Sequence, residues 1–170
     1  MNLTYNERFY TKIIQLYETV NVRHGLMVVG GTISGKTTII NILSKSLETH
    51  IYGLNPKSIT AKLLYGDVDI ATNEWQDGIT AVIFRECIEK GGKNWVLFDG
   101  PVDALWIENM NTVLDDNKKL CLTNGETIKL TETMRIIFEV EDLAEASPAT
   151  VSRCGMVYLE PQEIGWKSLI

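Results

Sequence analysis

At 170 residues with 45% apolar content, the chain can bury one full core, as a single globular domain or one domain with a fragment of a second. Its formal charge of −6 argues against a general nucleic-acid-binding surface. It has no apolar run long enough to span a bilayer, so neither nucleic acid nor membrane is an expected partner.

Met1 to Tyr5 lacks the basic-then-apolar pattern of a secretory leader. Phe9, Ile13, Leu16, Tyr17 and Val20 form an amphipathic stripe, which predicts a helix from Asn6 to Val20 packed on the edge of the core. Leu26-Met27-Val28-Val29 is apolar and partly β-branched, as a buried parallel strand should be. Ile39, Ile40, Leu43 and Leu47 then recur at helical spacing. Between strand and helix stands Gly30-Gly31-Thr32-Ile33-Ser34-Gly35-Lys36-Thr37, which fits G-x-x-x-x-G-K-[ST], the phosphate-binding loop. Its glycines let backbone N–H groups approach phosphate oxygens, and the helix N-terminus adds its positive dipole end. In this pattern Lys36 reaches the β- and γ-phosphates and the Thr37 hydroxyl ligates Mg²⁺. The candidate nucleotide contacts are Gly30, Gly31, Thr32, Ile33, Ser34, Gly35, Lys36, Thr37 and Thr38.

Ile51 to Leu54 reads as a short strand ended by Asn55-Pro56, with Ser58 capping a helix that runs through Leu64. Tyr65 to Gly78 has mixed polarity and reads as an inserted hairpin or loop. Ile79, Val82, Ile83 and Cys87 predict a helix stopped at Gly91-Gly92. Trp95-Val96-Leu97-Phe98 is a second buried strand that ends in Asp99. A carboxylate there, at the end of an apolar strand, is what a Walker B segment requires for holding Mg²⁺. Asp99 is followed by Gly100, where many ATPases carry a glutamate to activate the attacking water; glycine cannot act as that base. Asp103 and Glu108 are possible substitutes, but read more simply as a helix cap and a solvated residue.

Val102, Trp106, Met110, Val113 and Leu114 mark a helix from about Asp103. Lys119 to Leu122 and Thr127 to Leu130 flank Asn124-Gly125 and predict a β-hairpin with an Asn-Gly turn. Arg135 to Val140 is another strand. Ser147-Pro148 reads as an N-cap with proline at the first helical position, and Gly155 as the left-handed residue that ends this short helix. Met156 to Leu159 is the last strand. Strands alternating with helices define an α/β fold with a mainly parallel sheet flanked by helices, with inserted β-hairpins. Cys87, Cys121 and Cys154 are odd in number and widely spaced, so they read as buried free thiols in a reducing compartment. His24 and His50 have no second ligand nearby and read as structural or surface residues. Asn117-Lys118 lacks the Asp of a guanine-specifying motif, so GTP is not inferred.

These motifs resemble a known family. Phe98-Asp99-Gly100-Pro101-Val102-Asp103-Ala104-Leu105-Trp106-Ile107-Glu108-Asn109-Met110-Asn111, followed by Leu114-Asp115-Asp116-Asn117-Lys118, looks like the second AAA+ module of the dynein heavy chain. Leu54 to Ser58 and Ser147 to Met156 are similar to the same module, and the wording Ser-Pro-Ala-Thr with Asn-Lys-Lys-Leu resembles ciliary dyneins more than cytoplasmic ones. The resemblance implies a P-loop NTPase (AAA+) large subdomain over residues 1–160, with residues 161–170 starting a truncated helical lid. It implies ATP or ADP with Mg²⁺ held through Thr37 and Asp99, and little or no hydrolysis. Arg153 matches the arginine finger offered to the preceding module, and Asp142 falls near a sensor position that usually carries Asn. The implied partners are neighbouring AAA+ modules of the same heavy chain, microtubules through the full motor, and dynein intermediate and light chains. The implied location is the cytoplasmic cytoskeleton and the ciliary axoneme. The link from Leu47 to Asn55 is shorter than the module's pattern, which implies an absent loop.

Two other readings compete: an autonomous P-loop ATPase or small-molecule kinase, and a scaffold with a vestigial phosphate loop. A nucleotide kinase wants clustered arginines for its phosphate lid, whereas Arg8, Arg23, Arg85, Arg135 and Arg153 are scattered.

Overall fold

The computed structural model describes residues 7–160. The expected lid start at 161–170 lies outside the described residues. Helix α1 (Glu7–Val22) leads into strand β1 (Gly25–Val29), then α2 (Lys36–Ser46) and β2 (His50–Leu54). Next come α3 (Ala61–Tyr65), a hairpin of β3 (Gly66–Val68) and β4 (Trp75–Asp77), α4 (Ile79–Lys90) and β5 (Asn94–Asp99). A helical stretch of α5 (Ala104–Ile107), a 3₁₀ turn and α6 (Asn111–Leu114) precedes the hairpin β6 (Lys119–Cys121) and β7 (Thr127–Lys129). The described residues end with β8 (Met134–Val140), α7 (Pro148–Arg153) and β9 (Gly155–Tyr158).

The main sheet has the order β2-β5-β8-β1-β9, and every neighbouring pair is parallel. All five C-terminal strand ends therefore lie on one edge, where open α/β sheets place their ligands. Strand alternation divides the core between two layers. Leu26, Val28, Leu97 and Ile137 pack with Leu16 and Val20 of α1 and Ile39, Ile40 and Leu43 of α2. Met27, Val29, Val96, Phe98, Ile136 and Phe138 pack on the other face with Phe84 of α4 and with Trp106 and Met110. The near-continuous apolar runs of β1, β5 and β8 follow from coverage on both faces.

Local details depart from the sequence-based expectations in five places. Thr60, not Ser58, caps α3, accepting from Leu63 N, while Ser58 Oγ donates to the Asn55 carbonyl in a separate 3₁₀ turn at Pro56–Ser58. The expected helix after Asp103 is broken by a 3₁₀ turn at Glu108–Met110. In the second hairpin Leu122 N bonds Glu126 O and Gly125 N bonds Leu122 O, with φ 87° at Gly125. Asn124 is not among the positive-φ residues, so the connection is a three-residue loop with a left-handed third residue, not a two-residue Asn-Gly turn. Gly155 opens β9 and Cys154 terminates α7 in an extended conformation. Glycine is needed at 155 for close approach, since a Cβ there would meet Thr19 Cγ2 at 2.3 Å. Cys87 and Cys154 are buried free thiols as expected, but Cys121 is exposed.

Candidate functional site

The phosphate loop leaves β1 at the sheet's C-terminal edge and feeds directly into α2. Gly30 N donates to Val140 O at 3.1 Å and Leu159 N donates to Val29 O at 2.8 Å, tying the loop's start to both neighbouring strands. A Cβ on Gly30 would lie 2.2 Å from the Leu159 carbonyl oxygen and 2.7 Å from Ser34 Oγ, so only glycine fits. Ser34 N closes a turn on Gly31 O, and Gly35 sits at φ 84°, which glycine adopts at no steric cost. Ile33, exposed at the loop's tip, also has positive φ (66°), which is costly for a β-branched residue. Lys36, Thr37 and Thr38 form the first turn of α2, and Lys36 Nζ arches over the loop to the carbonyls of Gly30 (2.7 Å) and Gly31 (3.0 Å).

Asp99 ends β5 at the same edge and is exposed. Between β5 and β1 runs β8, whose Glu139 is in register with Asp99 on one side and Val28 on the other. Glu139 is buried, with 6% of its surface exposed, and its Oε1 accepts from Thr37 Oγ1 at 2.5 Å. Its other oxygen is buried and has no protein donor among the described residues. Burial pushes the Glu139 carboxyl above its ordinary range, and the charge of Asp99 adds to this, while the Thr37 hydrogen bond and Lys36 act against it. Sequence reasoning missed Glu139. The one available signal was a carboxylate near the end of the apolar run Ile136-Ile137-Phe138.

Gly100 follows Asp99, its N–H bonded to Glu139 O, and a Cβ there would meet Asn55 Oδ1 at 3.0 Å. The Asp142 carboxylate accepts from Ala144 N and shapes its own loop. Glu108 is exposed.

Arg153 sits apart. It ends α7 immediately before β9, and the register Leu26↔Gly155 to Val29↔Tyr158 puts it at the sheet edge opposite the phosphate loop. There it pairs through Nε with Asp115 and donates through Nη1 to Ala149 O at 2.7 Å.

The cluster suits a magnesium nucleotide. Glycine-only space lies beside β1, a helix N-terminus and Lys36 supply positive potential, and hard oxygen donors stand at Thr37 and Asp99. Among the described residues no group of three or more His, Cys, Asp or Glu side chains could hold a metal alone. Mg²⁺ takes one or two protein oxygens and completes its shell with phosphate and water, so Thr37 and Asp99 are donors of the type it uses. Among the described residues no helix is long and apolar enough to cross a membrane.

Two family models match. The AAA domain of the dynein-related subfamily covers residues 25–154, and the hydrolytic ATP binding site of the dynein motor region covers residues 1–37. The chain is 56% identical to human "Dynein axonemal heavy chain 1" over 181 residues, 52% to human "Dynein axonemal heavy chain 12" over 176, and 53% to human "Dynein axonemal heavy chain 6" over 171. These alignments take in 96%, 95% and 91% of this chain but only 4%, 6% and 4% of the relatives. The first runs over 181 residues with 96% of a 170-residue chain, so that relative carries residues this chain lacks. With a parallel α/β sheet, a phosphate loop and these relatives, the chain belongs to the dynein-related AAA domains and is homologous to a short segment of the axonemal dynein heavy chains.

Proposed function

We propose that this chain is the second AAA+ module of a dynein heavy chain, which binds ATP or ADP with Mg²⁺ and hydrolyses it weakly or not at all. The carrying observation is the edge that brings Gly30 to Thr38 and Asp99 together and then puts Gly100 where an activating glutamate would stand. Lys36 holds the β- and γ-phosphates, and Thr37 and Asp99 hold the metal. Bound magnesium nucleotide supplies charge and bridging oxygens; the chain's own groups bind and orient it. No side chain at position 100 can take a proton from water. The module then acts as a structural and regulatory element of the ring. Arg153 lies at the edge away from its own loop, which supports reading it as the arginine finger offered to the preceding module.

The inferred surroundings are the neighbouring modules of the same heavy chain, microtubules reached through the whole motor, intermediate and light chains, and the axonemal cytoskeleton. Residues 1–160 form the large subdomain, and the stretch that follows begins the helical lid that would cover the base. An autonomous ATPase or small-molecule kinase is less well supported. Arg85 is engaged by Asp77 and Glu126, and Arg135 by the carbonyls of Val20, Glu132 and Met134. A mass spectrum of small molecules released from the purified protein tests the reading directly. Adenine nucleotide supports it, and a preparation free of nucleotide that also fails to take up Mg-ADP would leave a vestigial loop.

A further inference from the structure

We propose that Glu139 is a positioning residue of the nucleotide–magnesium site, holding the Thr37 hydroxyl through one carboxylate oxygen and a water of the metal's shell through the other. The inference rests on the phosphate-loop reading above and extends it to a residue outside the loop and the Walker B segment.

Three observations carry it. First, the hydrogen bond from Thr37 Oγ1 to Glu139 Oε1, 2.5 Å long, spans 102 positions of sequence. It fixes the rotamer of the hydroxyl that would ligate Mg²⁺ and leaves its oxygen lone pairs for the metal. Second, the carboxylate is 94% buried by its 6% exposure, and its Oε2 lacks a protein donor among the described residues. A buried carboxylate oxygen left without a donor is expensive unless something at the site satisfies it. Third, the register pairs Glu139 with Asp99, so two carboxylate-bearing residues sit side by side on neighbouring strands at the same edge. A divalent cation with its water shell is the chemistry that satisfies both, and hydrogen-bonded carboxylates commonly orient a metal's ligands in this way.

The placement separates holding from turnover. A Walker-type base stands one residue after Asp99, and that position is Gly100. Glu139 supplies a second carboxylate from the neighbouring strand instead, and it is bonded to the metal's threonine. It strengthens metal retention without supplying a base to the attacking water. Two carboxylates and the nucleotide's phosphates repel one another when no cation lies between them. Nucleotide binding should therefore depend steeply on Mg²⁺.

The test uses the 170-residue chain with a fluorescent ADP (the N-methylanthraniloyl derivative) titrated at fixed concentration with Mg²⁺, in the wild type and in Glu139→Gln. Glutamine keeps the shape and an acceptor for Thr37 but removes the charge. The expected result is a wild type that binds the ADP only weakly without Mg²⁺. Glu139→Gln should need roughly tenfold more Mg²⁺ for half-maximal binding, the scale of an outer-shell change, and its binding without Mg²⁺ should be unchanged or tighter. Thermal unfolding without nucleotide should show Glu139→Gln at least as stable as wild type. A merely structural role predicts the reverse: lower stability and an unshifted Mg²⁺ midpoint. An unshifted midpoint with normal Mg-ADP binding overturns this inference and leaves the phosphate-loop reading intact. A wild type that binds no ADP at any Mg²⁺ concentration overturns both.

Discussion

Arg153 is tied to Asp115 across the junction of α7 with the end of α6, and its Nη1 is held by Ala149 O within its own helix. Both partners of the pair remain about a third exposed. Exposed pairs of this kind contribute only about 0–1 kcal/mol, so Asp115 holds the guanidinium without trapping it. This is what a residue needs if it is to be handed to a neighbour's phosphate. Arg153→Ala in a full motor should leave this module's nucleotide affinity unchanged and lower hydrolysis at the preceding module by on the order of 10³-fold or more. Lysine should rescue poorly, because it lacks the planar fork. Microtubule-stimulated ATPase measurements on the two variants check this, and a normal rate with Arg153→Ala would remove the arginine from the mechanism.

Gly100 sets the expectation for turnover. The isolated chain should hydrolyse ATP far below the ~1–10³ s⁻¹ of ordinary enzymes, with phosphate release near background. A steady-state rate of several turnovers per minute that disappears with Lys36→Ala would show that another side chain supplies the base.

The sheet was legible because its strands advertise themselves. Leu26 to Val29, Trp95 to Phe98 and Ile136 to Phe138 are apolar in succession, as only strands covered on both faces are. The loop and Asp99 were legible because their chemistry depends on local spacing. Glu139 was not, since its meaning comes from register: only the pairing of β8 with both β5 and β1 shows that it meets Thr37. Caps and turns failed for a different reason. Ser58 and Thr60 are equally good caps by type, and the chain's path after Pro56 chooses between them. Gly155 resembled a helix terminator, but the close passage of α1 beside β9, through Thr19, is what demands it.

Gly30 and Gly31 should respond oppositely to alanine. At Gly30 the added carbon meets backbone at 2.2 Å, and at Gly31 it meets nothing within 4 Å. Gly30→Ala should cost about 1–3 kcal/mol, the range for overpacking, and should abolish nucleotide binding. Gly31→Ala should unfold at the same denaturant concentration as wild type. Urea unfolding of both variants decides it, and equal midpoints for the two would contradict the packing described around β1 and β9.

His24 gives the fold a pH dependence. Its Nε2 donates to Val113 O at 3.0 Å. Burial, the largest influence, lowers its pKa from the ordinary 6.5; the Val113 bond and Asp116 raise it, and Lys118 and Arg135 lower it further. The unfolded chain therefore takes up the proton more readily than the folded one. Stability is fully present above the unfolded value of 6.5, falls as pH drops below it, and levels off beneath the folded value. His24→Gln should flatten this part of the curve. Thermal midpoints measured from about pH 7.5 to 5 on both proteins check the prediction, and parallel curves would assign the dependence to other groups.

The central claim is that Gly30 to Thr37 holds the phosphates of an adenine nucleotide, with Lys36 as the principal cation. Titration calorimetry of Mg-ATP into the wild-type chain and into Lys36→Ala tests it most directly. Charge-assisted contacts of this kind contribute roughly 1.5–3 kcal/mol. Lys36→Ala should therefore bind at least about tenfold more weakly than wild type, while its thermal unfolding without nucleotide stays close to the wild-type curve. Equal affinities in the two proteins, or no heat of binding in either, would contradict the account.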